Sequence, residues 1–201
     1  MELGLFPLGI VLLPTERVPL HIFEPRYREL IGECMEQEAE FGLVFADENG
    51  VRELGTRASV DEVLEQFDDG RMNIVVEGGE RFRVEKLTRG RTFMTAEVAP
   101  VADDGSEPGA DAVARAMASF RALAASAEAD AGDVDEEAAG LSFRLAAQVE
   151  LAPESKQELL ELRSEERRLE MVAELLDGVR QVLIATRELG ERAKKNGSRL
   201  S

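Results

Sequence analysis

The spacing of apolar residues changes along the chain. Over the first hundred positions apolar side chains mostly recur at strand spacing, and after position 111 they recur at helical spacing. Between these parts, residues 99–111 collect Pro, Gly, Ser and Asp, which are typical of turns and linkers. The pattern therefore predicts an α+β chain: a β-rich part over 1–100, a linker over 101–111, a helical bundle over 112–192 and a basic tail over 193–201.

The β-rich part begins with two apolar runs, 5–13 and 17–23, which predict neighbouring strands buried on both faces. Asp69-Gly70 is typical of a hairpin turn, and Gly78-Gly79 predicts another turn. Six or more short strands are expected, with one inserted helix. Such a set favours a small barrel or curled sheet, because closure removes exposed edges.

The inserted helix is expected to start at Glu24-Pro25, since proline suits the first helical turn. Its apolar stripe is Tyr27, Leu30, Ile31, Cys34 and Met35. Cys34 lies within that stripe, where burial raises the pKa of a thiol and suppresses its reactivity. We therefore interpret Cys34 as a core residue, with a nucleophilic role as the alternative.

The helical part contains four apolar patterns. Helices are expected around 113–123, around 141–149, and from Pro153 to Leu162, with an acidic, Ala-rich insert over 126–137. Ser164 is placed to cap a last and longest helix of about 25 to 30 residues, roughly 40 Å long. This helix carries an a/d seam formed by Leu169, Val172, Leu176, Val179 and Leu183. The seam is expected to pack across the bundle or to contact a partner, a second copy included.

Charge and composition exclude several classes of protein. With 41 Asp and Glu against 24 Lys and Arg, the net charge is −17, which opposes binding to a phosphate backbone. One cysteine and one histidine, His21, exclude an internal disulfide and a zinc site. The sequence contains no uninterrupted stretch of about 18 apolar residues, so no membrane span is predicted. The N-terminus lacks the basic start of a signal peptide. We expect a cytoplasmic protein with no nucleic-acid or membrane partner and no metal or other cofactor.

Sequence motifs of common enzymes are missing. The chain contains no phosphate-binding G-x-x-x-x-G-K-[ST] loop, G-x-S-x-G elbow, H-E-x-x-H pair or C-x-x-C pair. One alternative stays open, an enzyme that uses His21, Glu24 and Tyr27 in a cleft beside the barrel. The plainer interpretation gives His21 a structural hydrogen bond and Glu24 a capping role.

Two adjacent apolar residues, Phe93 and Met94, point to opposite faces of their strand because side chains alternate. One of the two faces must therefore meet something outside the barrel interior. We predict Phe93 and Met94 as contact residues for apolar segments of another protein. The alternative is that a helix of the same chain covers that face.

An ordered series of short motifs gives the chain a family resemblance. The motifs are Leu5-Phe6-Pro7-Leu8, Val11-Leu12-Leu13-Pro14, Pro19-Leu20-His21-Ile22-Phe23-Glu24-Pro25-Arg26-Tyr27, Gly55-Thr56 and Val76-Glu77-Gly78-Gly79-Glu80-Arg81-Phe82. Over residues 3–98 the chain resembles the N-terminal substrate-binding domain of Lon proteases. Residues 145–183, with Pro153-Glu154-Ser155-Lys156-Gln157 and Glu166-Arg167-Arg168-Leu169, look like the helical part that follows in that family.

This resemblance implies a PUA-like pseudo-barrel followed by a helical bundle. It also implies recognition of unfolded or tagged polypeptides and contacts within an oligomer. Our leading hypothesis is a module that binds peptides or exposed apolar segments, as an adaptor in protein quality control. The ATPase module and the Ser-Lys dyad of Lon proteases have no counterpart in the sequence, so we expect no catalysis. Self-association, or a partnership with a Lon-type protease, fits the resemblance. PUA-like folds permit RNA binding by analogy, but the net charge opposes it.

Overall fold

The computed structural model describes residues 1–132 and 134–197, with side chains through residue 190. Its strands are β1 Glu2–Leu8, β2 Arg17–Ile22, β3 Phe41–Asp47, β4 Gly50–Gln66, β5 Met72–Thr88 and β6 Met94–Pro100. Its helices are α1 Pro25–Gln37, α2 Ala110–Ala127, α3 Leu141–Ala146, α4 Pro153–Glu161 and α5 Glu165–Gly197. The predicted α+β class is confirmed.

Five strands close into a ring. The sheet order is β2-β5-β4-β3-β1-β6, and a second pairing joins β5 to β6. β1 and β3 run parallel, and the connection between them passes through β2 and α1. Closure is possible because β5 is 17 residues long and pairs with β4, β2 and β6 over its length. The barrel expected from the sequence is therefore present, although β4 and β5 are long strands.

Part of this sheet extends beyond the ring. β3 pairs with β4 only between Gly50 and Ala58, whereas β5 continues beside β4 as far as Gln66. On its other side this part of β5 pairs with β2. Residues 17–22, 59–66 and 72–77 thus form a three-stranded extension, whose two outer strands each lack a neighbour on one side.

Buried apolar residues form three clusters. One lies inside the ring, where Leu5, Val44, Phe82 and Ala96 from four strands are each 0% exposed. A second packs α1 against the sheet through Tyr27, Leu30, Ile31 and Cys34. The third is built by the helices together with four residues of the β-rich part: Val11, Leu13, Phe45 and Leu54. The two parts of the chain therefore share a core.

A buried polar network also joins the two parts. The guanidinium of Arg81 on β5 donates to the carbonyls of Leu160 (2.7 Å) and Leu162 (2.6 Å) and pairs with Asp103. Asp103 also accepts from Arg168 of α5 at 2.7 Å. The predicted linker thus supplies the carboxylate between two arginines.

Several local predictions are wrong. The run 5–13 and the run 17–23 are not neighbours, because β1 pairs with β3 and β6 and β2 pairs with β5. β2 is an edge strand whose outward residues stay exposed, so it is not buried on both faces. The predicted turn at Gly78-Gly79 does not form, since β5 runs straight through it.

The reason for Gly78 is a close approach of two backbones. The Gly78 N–H donates to the Glu16 carbonyl (2.9 Å), and its own carbonyl accepts from Thr15 N–H (2.7 Å). A Cβ at Gly78 would lie 2.0 Å from the Leu13 carbonyl oxygen. Gly78 is therefore required for contact and not for a turn.

Helical predictions are confirmed with shifted boundaries. Pro153 opens α4, and the hydroxyl of Ser164 accepts the Arg167 N–H (3.4 Å) at the start of α5. α3 ends at Ala146, before the expected Val149. α5 has 33 residues and continues to Gly197, past the predicted boundary at 192. In the predicted basic tail, 193–201, the side chains of Lys194 and Lys195 and all of Arg199 lie outside the described residues.

Candidate functional site

Helix α1 sets the geometry of the candidate site. Glu24 has extended backbone angles at the N-cap position, Pro25 occupies the first turn, and the stripe Tyr27, Leu30, Ile31 and Cys34 is buried. The helix ends where Glu38 adopts a left-handed conformation (φ 51°) and donates its N–H to the Cys34 carbonyl. The last turn of α1 therefore stands as a ridge over the sheet, with an open groove on each side.

The first groove lies between α1, β1 and the 89–95 segment and has a volume of about 360 Å³. Leu30 and Cys34 of α1 line it together with Phe93 and Gly4. Gly4 brings β1 close to the helix, since a Cβ there would lie 2.4 Å from Leu30 Cδ1. The rim of the first groove is charged: Glu2, Glu33, Glu40, Arg89 and Arg91.

The two residues predicted to contact a partner lie on opposite sides of the sheet. Phe93 is 7% exposed, packs in the α1 cluster, and has the Arg91 guanidinium 4.8 Å from its ring centroid. Met94 is half-buried and packs against the cluster inside the ring. Helix α1 thus supplies the same-chain cover that the sequence left open. Only Phe93 lines a groove, and the binding role of both residues stays a prediction.

The second groove lies on the other side of α1, against β4, with a volume of about 370 Å³. The α1 wall consists of Cys34 and Met35 of the helix and of Glu38, Ala39 and Glu40, which follow it, and the β4 wall consists of residues 59–63. Met35 is 39% exposed and Val63 is 38% exposed, so each wall presents an apolar side chain to solvent. The prediction that Met35 belongs to the buried stripe of α1 is wrong, and the sequence pattern does not single out Val63.

Acidic side chains dominate the second groove. Asp61 is paired with Arg17, and Glu40 is paired with Arg57 at 3.2 Å. Glu38 and Glu62 are exposed, and neither carboxylate has an ion-pair partner among the described residues. The groove therefore combines apolar walls with uncompensated negative charge.

Cys34 lines both grooves, but its thiol is protected. The residue is 7% exposed, and burial, with a smaller contribution from the charge of Glu33, raises the pKa of Cys34 to about 11. A thiol with this pKa is almost entirely protonated near neutrality and is a poor nucleophile. The interpretation of Cys34 as a core residue is confirmed.

The residues of the alternative enzymatic cleft are not brought together. The exposed ring of His21 lies with Nδ1 2.6 Å from Asn73 Oδ1, whereas Glu24 pairs with Arg26 at 2.8 Å. Tyr27 is buried against Phe6, with ring centroids 4.0 Å apart, and burial raises the pKa of its hydroxyl. Arg26 contacts both Glu24 and Tyr27, since its guanidinium lies 4.5 Å from the Tyr27 ring centroid, but His21 is paired with Asn73 instead. The geometry therefore does not join the three groups into one reaction centre.

The described residues contain no group of three or more His, Cys, Asp or Glu side chains arranged to hold a metal ion. Within the same part of the chain, no helix is long and apolar enough to cross a bilayer.

Residues from the sequence motifs of the helical part prove to be structural. Lys156 pairs with Glu16, whose other oxygen accepts the Leu13 N–H at 2.9 Å. Gln157 donates to the Leu54 carbonyl (3.3 Å), and Arg168 is 0% exposed within the buried network. These motifs therefore hold the helices on the barrel, a role that sequence spacing alone does not reveal.

Comparisons with solved structures support the fold. The chain is similar to a Lon N-terminal domain protein from Xanthomonas campestris, with a TM-score of 0.68 and 26% identity, covering 86% of this chain and 96% of that one. It also shares its fold with the N-terminal domain of a Mycobacterium avium complex Lon protease, with a TM-score of 0.68 and 17% identity over 88% of this chain and 98% of that one.

Curated relatives point the same way. A Lon protease of Brevibacillus choshinensis is 24% identical over 98% of this chain and 28% of its own length, and one of Methylocella silvestris is 25% identical over 92% of this chain and 25% of its own length. The chain thus spans about a quarter of the length of these relatives. The family model for the ATP-dependent protease La (LON) substrate-binding domain matches residues 2–178. This chain therefore belongs to the Lon substrate-binding domain family.

Proposed function

We propose that the chain is a non-catalytic recognition module that binds exposed apolar segments of unfolded or tagged polypeptides in the two grooves beside α1. The observation that carries this proposal is the pair of half-exposed apolar side chains, Met35 and Val63, that face one groove from opposite walls. Concave, partly apolar surfaces of this size favour side chains that an unfolded chain exposes and a folded one hides.

The absence of catalysis is part of the proposal. Family membership concerns a substrate-binding domain, and in the alternative cleft His21 is paired with Asn73, away from the Arg26 that contacts Glu24 and Tyr27. No observation favours the enzymatic or RNA-binding alternatives. An adaptor role in the cytoplasm, beside a Lon-type protease or as a self-associated form, extends the same proposal.

The test is a titration with one protein in two states. Lysozyme that has been reduced and blocked with iodoacetamide stays unfolded, and native lysozyme carries the same side-chain charges. Each form is fluorescently labelled and titrated with the purified chain while anisotropy is followed. Saturable binding of the unfolded form alone is expected. Equal binding of both forms would show charge attraction only, and binding of neither would overturn the proposal.

A further inference from the structure

The second groove is bounded by an unpaired sheet edge. β4 loses β3 as a neighbour after Ala58, yet it stays paired with β5 as far as Gln66. Residues 59–66 therefore form an edge strand, and such an edge presents free N–H and C=O groups to a further strand. On this side the wall opposite the edge is α1, not another strand.

Backbone alternation shows which residues face this edge. Gly78 of β5 is turned toward residues 15–16, which it bonds through both its N–H and its carbonyl. Because the hydrogen-bonding groups of alternate residues point to the same side of a strand, the backbone N–H and C=O groups of Val76 and Ile74 also point toward β2 and away from β4. Val60 and Val63 are their partners on β4. The backbone N–H and C=O groups of these two residues therefore point away from β5, toward the free edge.

The spacing of these two residues suits a regular added strand. One extra residue, Asp61, is accommodated by a bulge, so Val60 and Val63 oppose β5 residues that are two apart in sequence. They therefore lie about 7 Å apart along the strand, the normal two-residue repeat. Among the described residues, no hydrogen bond joins either backbone to a group outside the sheet.

The charge of the groove selects the occupant. Glu38 on the α1 wall and Glu62 on the β4 wall lack ion-pair partners, and the chain as a whole carries a net charge of −17. An added strand with Lys or Arg among its apolar residues would bring positive charge close to these carboxylates. An acidic strand would be repelled by both walls.

We propose that the second groove binds an extended basic and apolar polypeptide segment as an added strand along residues 60–66 of β4. The apolar side chains of this strand contact Met35 and Val63. Its backbone forms hydrogen bonds with the backbone N–H and C=O groups of Val60 and Val63. This inference rests on the proposed function and specifies its ligand. The opposite edge, β2, is less suited to a strand because Pro19 in its centre has no N–H.

The probe is an acetylated and amidated eight-residue peptide of alternating Lys and Val. Its binding is followed through the backbone amide signals of the ¹⁵N-labelled chain. The largest shifts are expected at Val60 and Val63. A peptide of alternating Glu and Val should bind at least tenfold more weakly. Two further peptides carry N-methyl groups on all Lys amides or on all Val amides, and one of these two should lose binding while the other keeps it.

A charge reversal on the protein tests the same site from the other side. The double substitution Glu38→Lys with Glu62→Lys should lower the affinity for the Lys-Val peptide at least tenfold and raise the affinity for the Glu-Val peptide. The matched control, Glu85→Lys with Glu97→Lys, changes the net charge equally at exposed positions outside both grooves and should leave the ratio of the two affinities within about twofold of the wild-type ratio.

The outcomes separate this inference from the proposed function. If the chain binds unfolded lysozyme but the peptide shifts amides elsewhere, or both N-methylated peptides still bind, strand addition at β4 is wrong and the recognition role stands. If the chain binds neither unfolded lysozyme nor the peptide, the proposed function fails as well.

Discussion

At the scale of single residues, the chain uses buried charge to join its two parts. Arg168 is 0% exposed, its guanidinium lies 4.5 Å from the Phe143 ring centroid, and it pairs with Asp103 and Glu165. Glu165 also accepts the N–H and the hydroxyl of Ser142, each at 2.8 Å. Removing Arg168 from this network would leave Glu165 without a counterion and Asp103 with Arg81 alone.

Arg168→Met should lower the free energy of unfolding by about 3 to 5 kcal/mol, because the buried Glu165 would lose its counterion and Asp103 would lose one of its two. Arg167→Met, at the exposed neighbouring position, is the control and should change stability by less than about 0.5 kcal/mol. Urea denaturation followed by circular dichroism measures both. Equal stabilities of the two variants would contradict a structural role for the network.

Asp103 should make stability dependent on pH. Burial raises the pKa of this carboxyl, but hydrogen bonds and charges from Arg168 and Arg81 outweigh that effect and hold it below its ordinary value of 3.8. A lowered pKa means that the stabilisation is complete above the ordinary value and is lost as the pH falls below it. Unfolding curves at pH 2.5 to 6 should show a steeper loss for the wild type than for Asp103→Asn. Parallel curves would contradict this assignment.

Cys34 should resist alkylation in the native state. With a pKa of about 11, roughly one thiol in a thousand is ionised at pH 8, and burial limits access further. Iodoacetamide labelling followed by mass spectrometry should be at least a hundredfold slower in buffer than in 6 M guanidinium. Rapid native labelling would mean that the last turn of α1 opens readily.

At the scale of elements, the positions of α1 and β5 decide where the grooves lie. The helix was readable from sequence, since Pro25 and the stripe from Tyr27 to Cys34 are local signals. The path of β5 was not. Gly78-Gly79 predicts a turn when only the local sequence is considered. The contact with residues 13–16 that explains Gly78 joins segments more than sixty positions apart, so no local pattern indicates it.

Gly78→Ala tests this explanation. The added methyl would lie 2.0 Å from the Leu13 carbonyl, so the backbone must shift, at a cost of about 1 to 3 kcal/mol or more. At Gly79 the nearest atom would be the flexible Glu40 carboxylate, 3.3 Å away, and Gly79→Ala should cost clearly less. Thermal unfolding of both variants measures the difference. A larger loss for Gly79→Ala would favour a turn requirement instead.

The second groove makes a prediction about binding. The double substitution Met35→Ser with Val63→Ser removes the half-exposed apolar groups from both walls. It should lower the affinity for unfolded lysozyme at least fivefold, with little loss of stability. Val51→Ser with Leu87→Ser is the control, since these residues are 42% and 56% exposed and line neither groove. Anisotropy titrations compare the variants. Equal weakening by both pairs would contradict a specific role for the groove.

At the scale of the whole molecule, family motifs and candidate site occupy different places. Lys156, Gln157 and Arg168 lie in motifs that carry the resemblance, and all three hold helices on the barrel. The second groove instead depends on where β3 stops pairing with β4, which no local pattern encodes. The α+β class was thus predictable from spacing and the family from motifs. The candidate binding surface required the assembled sheet.

The most direct test of the account is hydrogen exchange of the chain with and without saturating unfolded lysozyme. If the grooves beside α1 bind the unfolded segment, protection should rise in peptides covering residues 33–40 and 59–66, while α2 and the first half of α5 should exchange as before. Protection confined to α2 and α5, or unchanged exchange at saturation in both groove segments, would contradict the claim that this chain recognises its substrates beside α1.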